Sequence, residues 1–212
     1  MDADFWHRKW EANDIAFHES EAHPLLVRHF GSLGLRPGAR VFVPLCGKSR
    51  DLNWLLGHGY ELAGAELSRL AVEQLFAELG VTPEITEIGP LERFAAEGIT
   101  IFVGDIFDLT HEVLGPVDAV YDRAALVALP EPMRTRYAAH LAHLTRHARQ
   151  LLITFDYDQS LTVGPPFAVD EHEVRRHYGA AYHVALLEKH PLKGGLRGKE
   201  PVAEEVWKLE RR

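Results

Sequence analysis

A chain of 212 residues, 46% hydrophobic and 25% charged with 17 Gly and 12 Pro, has the make-up of a globular domain and excludes a disordered, collagen-like or repeat-built polypeptide. At this length about 70% of the unfolded surface can be buried, so neither a disulfide nor a structural metal is needed, and Cys46, the single cysteine, has no partner for an internal bridge. The 31 acidic against 23 basic side chains, a net charge of -8, count against a nucleic-acid partner, because phosphate binding draws on clustered Lys and Arg.

The N-terminus lacks the basic segment and apolar run of a secretory signal, and no stretch approaches the ~20 apolar residues of a membrane span. The expectation is a cytoplasmic protein with no membrane partner. With no repeat, low-complexity tract or linker, residues 1–212 read as one domain, with 1–30 as an N-terminal extension.

Strand and helix patterns alternate along the chain. Arg40 to Leu45 (RVFVPL) is a buried strand pattern, and Asp51 to Gly57 has Leu52, Leu55 and Leu56 on one helical face. Tyr60 to Leu67 is a second strand. Ser68 then opens a periodic helix carrying Leu70, Ala71, Leu75, Phe76 and Leu79, closed by Gly80. Ile99 to Val103 is a third strand, Val117 to Tyr121 a fourth, Pro132 to His147 a helix, and Gln150 to Asp156 a fifth strand. Gly164-Pro165-Pro166-Phe167 is a stiff loop, Asp170 to Tyr178 a helix, and Tyr182 to His190 with Glu205 to Glu210 an extended pair that closes the sheet. Strands separated by helices require right-handed crossovers, so the fold class is a three-layer α/β fold, a mostly parallel seven-stranded sheet with an antiparallel C-terminal strand and helices on both faces.

In such sheets ligands bind beyond the carboxyl ends of the strands. After the first strand stand Pro44-Leu45-Cys46-Gly47-Lys48-Ser49, and after the second stands Glu66, about twenty residues beyond Gly47, the interval at which nucleotide-binding α/β units place an acid on ribose hydroxyls. The third strand leads to Asp105-Ile106, a carboxylate and an aliphatic face suited to an adenine ring. Asp122-Arg123 follow the fourth. Gly47-Lys48-Ser49 imitates the end of a phosphate-binding P-loop, but Phe42 stands where its first glycine belongs, and Gly47 is the single glycine of a loop that would need three for a dinucleotide. A nucleoside cofactor without phosphates is what remains, and S-adenosylmethionine fits that description.

Each of these residues also has a plainer reading. Glu66 could be an ordinary strand-end acid, Trp10 a packing residue of an amphipathic helix, Asp105 the cap of the next turn, and Arg123 the partner of Asp122. Cys46 reads as a small buried residue rather than a nucleophile. His140, His143 and His147 recur at helical spacing, yet no carboxylate or cysteine completes a zinc pattern, and no metal is expected.

The runs VFVPLCGK (41–48), AGAELS (63–68), GDIF (104–107) and YDRAALVA (121–128) resemble thiopurine S-methyltransferases of the bacterial type. So do Phe5-Trp6 with Trp10, Ile15-Ala16-Phe17-His18, and Gly164 to Phe167. The likeness keeps order and spacing nearly end to end. It implies a Rossmann-like methyltransferase fold of the class I S-adenosyl-L-methionine-dependent type that methylates the sulfur of thiopurines or other aromatic thiols; nothing in the sequence requires more than a monomer. Trp10, Leu45, Glu66 and Arg123 are then expected to bind S-adenosyl-L-methionine, with Gly47, Asp105 and Ile106 lining the same pocket. An aromatic face at Trp10 suits a sulfonium, and Arg123 suits a carboxylate or an anionic thiolate. Trp6 and Phe17, on an N-terminal segment that would cover the pocket, and Phe167 are expected against the thiol substrate. The resemblance also allows methylation of selenium or tellurium compounds, with which bacterial relatives are associated, while the residue pattern itself is compatible with non-catalytic nucleoside binding and with NAD-dependent oxidation, the last opposed by the missing glycines.

Overall fold

Residues 3–14, 21–196 and 198–212 are described in the computed structural model of this chain, which divides into two units, Met1–Ala119 and Val120–Arg212. The first carries α1 (Ala3–Glu11), α2 (Pro24–His29), β1 (Arg40–Pro44), α3 (Arg50–Gly57), β2 (Glu61–Glu66), α4 (Arg69–Leu79), β3 (Glu84–Ile88), β4 (Leu91–Ala96), β5 (Ile99–Val103) and the single turn α5 (His111–Leu114). Its strands lie in the order β3-β4-β5-β2-β1. β1 and β5 flank β2 in parallel, whereas β4 joins β5, and β3 joins β4, antiparallel.

The parallel part follows from local chemistry. β1 and β2 are apolar and almost wholly buried, as strands covered on both faces must be. Each helix behind them starts on a serine cap: Ser49 accepts from the Asp51 N–H, and Ser68 from the Ala71 N–H. α4 stops at Gly80, whose φ of 71° supplies the left-handed residue that ends helices cheaply. Gly64 lets β2 sit close to its neighbours, since a Cβ there would stand 2.6 Å from Ile101 Cδ1 and 3.0 Å from Cys46 Sγ.

The second unit holds β6 (Ala119–Arg123, begun by the boundary residue), α6 (Glu131–Leu144), β7 (Arg149–Tyr157), α7 (Glu171–Tyr178), β8 (Tyr182–Pro191) and β9 (Val202–Arg211), with strand order β6-β7-β9-β8. β9 runs antiparallel to both β7 and β8. Its core is aromatic: Trp207, Tyr121, Tyr137, Tyr178 and Tyr182 are fully buried, and the Trp207 indole N–H donates to Thr154 Oγ1 at 3.0 Å.

All seven expected strands are present, including the antiparallel C-terminal one, and the described residues add a hairpin, β3-β4. That hairpin escapes a search for apolar runs because β3 is a mostly exposed edge strand (Glu-Ile-Thr-Glu-Ile) whose alternation is weak. Two boundaries differ from expectation with chemical consequences. β6 begins two residues later than read, because Asp118 leads into it, its carboxylate accepting the Arg40 N–H while its own N–H donates to Arg40 O. Asp122 and Arg123 are therefore the last two residues of the strand. α6 ends at Leu144, not His147, where Thr145 turns its hydroxyl back onto Leu141 O and Arg146 and His147 take left-handed φ values of 50° and 58°. His147 is thus off the helix that holds His140 and His143. It lies beside Tyr182, ring centroids 5.8 Å apart.

Candidate functional site

Glu66, the last residue of β2, is 6% exposed, and its two oxygens are gripped by backbone. The Gly47 N–H donates to Oε2 and the Ser68 N–H to Oε1, each at 2.8 Å. Burial pushes the carboxyl up from its usual range, opposed by the N–H groups of Ser68, Gly47 and Leu67 and by the His7 imidazole. A carboxylate has about four acceptor positions, so these donors leave capacity for a hydroxyl.

The loop after β1 is shaped to meet that acid. Leu45 has a φ of 46° and Gly47 one of 52°; left-handed backbone is unusual for a leucine and ordinary for glycine. A Cβ at Gly47 would stand 3.1 Å from Cζ2 of Trp10, so the Trp10 ring of α1 lies directly on the loop and is itself 4% exposed. Both the binding and the packing readings of Trp10 meet here, since a ring packed on the loop also covers it. Lys48 is turned away to Glu78 of α4 at 2.8 Å, which leaves no P-loop lysine. Cys46 is buried, and burial together with the Glu66 charge raises its thiol well above the usual value, the condition of an inert thiol.

At the end of β5, Ile106 is buried while the Asp105 side chain is exposed and accepts from the Phe107 N–H at 2.9 Å. Asp105 therefore caps the 3-10 turn Ile106–Asp108, the plainer of its two readings, and its outward carboxylate remains open to solvent. A pocket of about 420 Å³ opens beside these strand ends, its walls including His7 and Glu11 of α1, Leu67 and Ser68 after β2, and Val103 and Gly104 at the end of β5. His7 and Glu11 belong to no sequence motif. Their i, i+4 spacing places them on one face of α1 and was the available signal.

The second unit carries the other candidates. Arg123 is half-buried at the end of β6. Asp122 is fully buried. Its carboxylate takes the Tyr137 hydroxyl at 2.7 Å and the Leu126 N–H at 3.1 Å, and neighbouring strand residues point to opposite faces. Phe167 is half-buried in a firmly tied loop. Its N–H donates to Val127 O at 2.6 Å, its ring lies 5.7 Å from the Arg134 guanidinium, and Gly164 leaves room for that ring. The Tyr157 hydroxyl donates to Pro166 O at 2.7 Å, and Gln159 bonds Tyr157, Thr162 and Ala168. No motif announced Tyr137, Tyr157 or Gln159, because each meets its partner through folding.

Trp6 is half-buried on α1, edge-on to Phe5 with centroids 5.2 Å apart. Phe17, with Ile15, Ala16 and His18, lies outside the described residues. Among the described residues no group of three or more His, Cys, Asp or Glu side chains could hold a metal ion, and no helix is long and apolar enough to cross a membrane.

The family model described as thiopurine S-methyltransferase matches residues 1–212. A thiopurine S-methyltransferase of Xanthobacter autotrophicus is 59% identical over 212 residues, covering 100% of both chains. One from Gluconobacter oxydans is 53% identical over 205 residues, 97% of this chain and 93% of that one. Among solved structures, the magnesium protoporphyrin IX methyltransferase of Synechocystis, with bound S-adenosylhomocysteine, superimposes with a TM-score of 0.63 at 16% identity over 100% of both chains. At that identity the likeness is one of fold, and the fold is the Rossmann-like one of methyltransferases.

Proposed function

The chain belongs to the thiopurine S-methyltransferase family, and from that premise we propose that it methylates the sulfur of thiopurines or other aromatic thiols with S-adenosyl-L-methionine. The observation that carries the cofactor assignment is Glu66, a buried acid at a strand end with acceptor capacity left over, tied to a close-approach glycine under an aromatic ring. Trp10, Leu45, Gly47, Glu66, Asp105, Ile106 and Arg123 are the proposed cofactor-binding residues. The cofactor supplies a methyl group already attached to a sulfonium leaving group.

The protein's own share is alignment and exclusion of water. Glu66 accepts from ribose hydroxyls, its geometry fixed in advance by the Gly47 and Ser68 N–H groups. Trp10 closes the loop from above, and Ile106 offers an aliphatic face to a purine. Arg123 favours the anionic thiolate, which is the nucleophilic form of a thiol, by charge-assisted hydrogen bonding. Trp6, Phe17 and Phe167 are proposed to meet the acceptor. Residues 1–212 act as a single methyltransferase domain, a reading supported by the whole-length family match, with 1–30 as its cover. The proposed protein is a cytoplasmic monomer, and the acidic balance supports a reading with no nucleic-acid partner.

Labelled S-adenosyl-L-methionine incubated with 6-mercaptopurine, thiophenols, selenite and tellurite tests the assignment. Methyl transfer to the aromatic thiols is expected, with Glu66→Gln weakening cofactor affinity roughly 10- to 100-fold, the worth of about 1.5–3 kcal/mol for hydrogen bonds to a charged group. Transfer to the metalloid anions alone would reassign the acceptor, and tight binding without any transfer would leave a binding protein.

A further inference from the structure

We infer that Asp122 is a positioning residue for methyl transfer: through the turn that its carboxylate ties together it holds the end of β6 where Arg123 stands. The inference rests on the reading of Arg123 as a cofactor or thiolate ligand. Asp122 is 0% exposed, and a wholly buried carboxylate is costly unless hydrogen bonds compensate it. What it organises is local. Oδ1 accepts the Leu126 N–H at 3.1 Å, the Ala125 N–H also bonds the carboxylate, and Oδ2 accepts the Tyr137 hydroxyl from α6 at 2.7 Å. Between Arg123 and this cap lies Ala124 with a φ of 62°, a conformation that needs support in a non-glycine residue.

The same turn anchors the loop at Phe167. Leu126–Ala128 forms a 3-10 turn directly after it, and Val127 O receives the Phe167 N–H. One carboxylate thus underlies both the Arg123 backbone and the strut of the Gly164–Phe167 loop.

The groups acting on Asp122 come from the elements packed around it. Tyr137 on α6 donates to it, the Ala125 and Leu126 amides follow it on its own segment, and Tyr178 on α7 feels its charge. The Tyr178 hydroxyl is buried without a hydrogen-bond partner. Burial raises the Asp122 carboxyl from 3.8 to about 6, with the three hydrogen bonds opposing. When protonated, the group gives up an acceptor position for an O–H, and the turn loses one of its ties. Activity is therefore expected to fall on the acid side through Asp122.

The test uses the full chain and an aromatic thiol made acidic by a nitro substituent, so that the acceptor is ionised across pH 5–8. Wild type should show an acid limb near pH 6. Asp122→Asn, which imitates the protonated side chain, should lower kcat/KM about tenfold at pH 7.5 and abolish that limb. Tyr137→Phe removes the hydrogen bond that holds the carboxyl down and should move the limb upward by about half a unit or more, which tests the idea even where Asp122→Asn does not fold. Limbs unchanged in either folded variant overturn the proposal. Arg123→Ala is measured alongside. If it keeps full activity, the Arg123 reading fails and the positioning role with it; if it cripples transfer while Asp122→Asn behaves as wild type, only the positioning role fails.

Discussion

At the residue scale, the site is governed by how buried polar atoms find partners. Glu66 is tolerated inside the first unit because backbone N–H groups hold both oxygens. Tyr178 is the contrasting case: its hydroxyl is buried with no partner and raised well above the usual tyrosine range, first by burial and then by the charge of Asp122. An unsatisfied buried hydroxyl costs about 1–3 kcal/mol. Tyr178→Phe keeps the ring that meets Tyr182 edge-on at 6.0 Å and loses only that hydroxyl. Urea unfolding should therefore show the variant more stable by about 1 kcal/mol. A loss of stability would mean that the hydroxyl bonds a buried water.

At the element scale, α1 is the least conventional part of the first unit. It spans nine residues, too few for a helix to hold itself in water, so its stability comes from what it packs on. Trp10 supplies this by lying on Gly47 with 4% of its surface exposed, and α1 also touches α4. The helix and the loop after β1 should consequently stabilise one another. Deleting residues 1–18 is expected to leave β1, β2, α3 and α4 folded by circular dichroism and to abolish cofactor binding by calorimetry. Retained affinity would show that the helix is decoration. The Gly164–Phe167 loop shows the opposite economy. Tyr157, Gln159 and Val127 brace it at several points, and Arg134 sits at its side, held bidentate by Glu173 at 2.6 and 3.0 Å. On the proposed role of Phe167 against the acceptor, a loop braced in this way would spare the ordering cost of binding.

At the scale of the whole molecule, buried carboxylates set the dependence of stability on pH. The Asp122 carboxyl lies above its ordinary value when folded, at about 6 against 3.8, so the native state binds its proton more tightly than the unfolded chain. Stability from this group is full below about pH 4 and is lost as pH rises to about 6, by up to about 3 kcal/mol at 1.36 kcal/mol per unit. Glu173 has the reverse sign: burial raises it, but hydrogen bonds from Arg134 and His177 prevail and hold it low, so its contribution fades in acid. Denaturant titrations between pH 4 and 6.5 should show a wild-type slope that Asp122→Asn flattens; identical slopes would remove Asp122 as its source. The sequence by itself determined the order of the seven strands and the helices between them, the Ser68 start and Gly80 end of α4, the acid after β2 and the family, because these are written in local periodicity and in motifs of fixed spacing. It did not reveal the exposed β3-β4 hairpin, whose alternation is too weak to stand out, nor that α6 ends before His147. Tertiary structure decided which protein partner each polar residue takes. It made Asp105 a cap, turned Lys48 to Glu78, and joined Asp122 to Tyr137 and the turn after Arg123. A hydrogen bond between groups far apart in sequence leaves no period to read, and the energy of a buried carboxylate depends on partners that only the folded chain brings within reach.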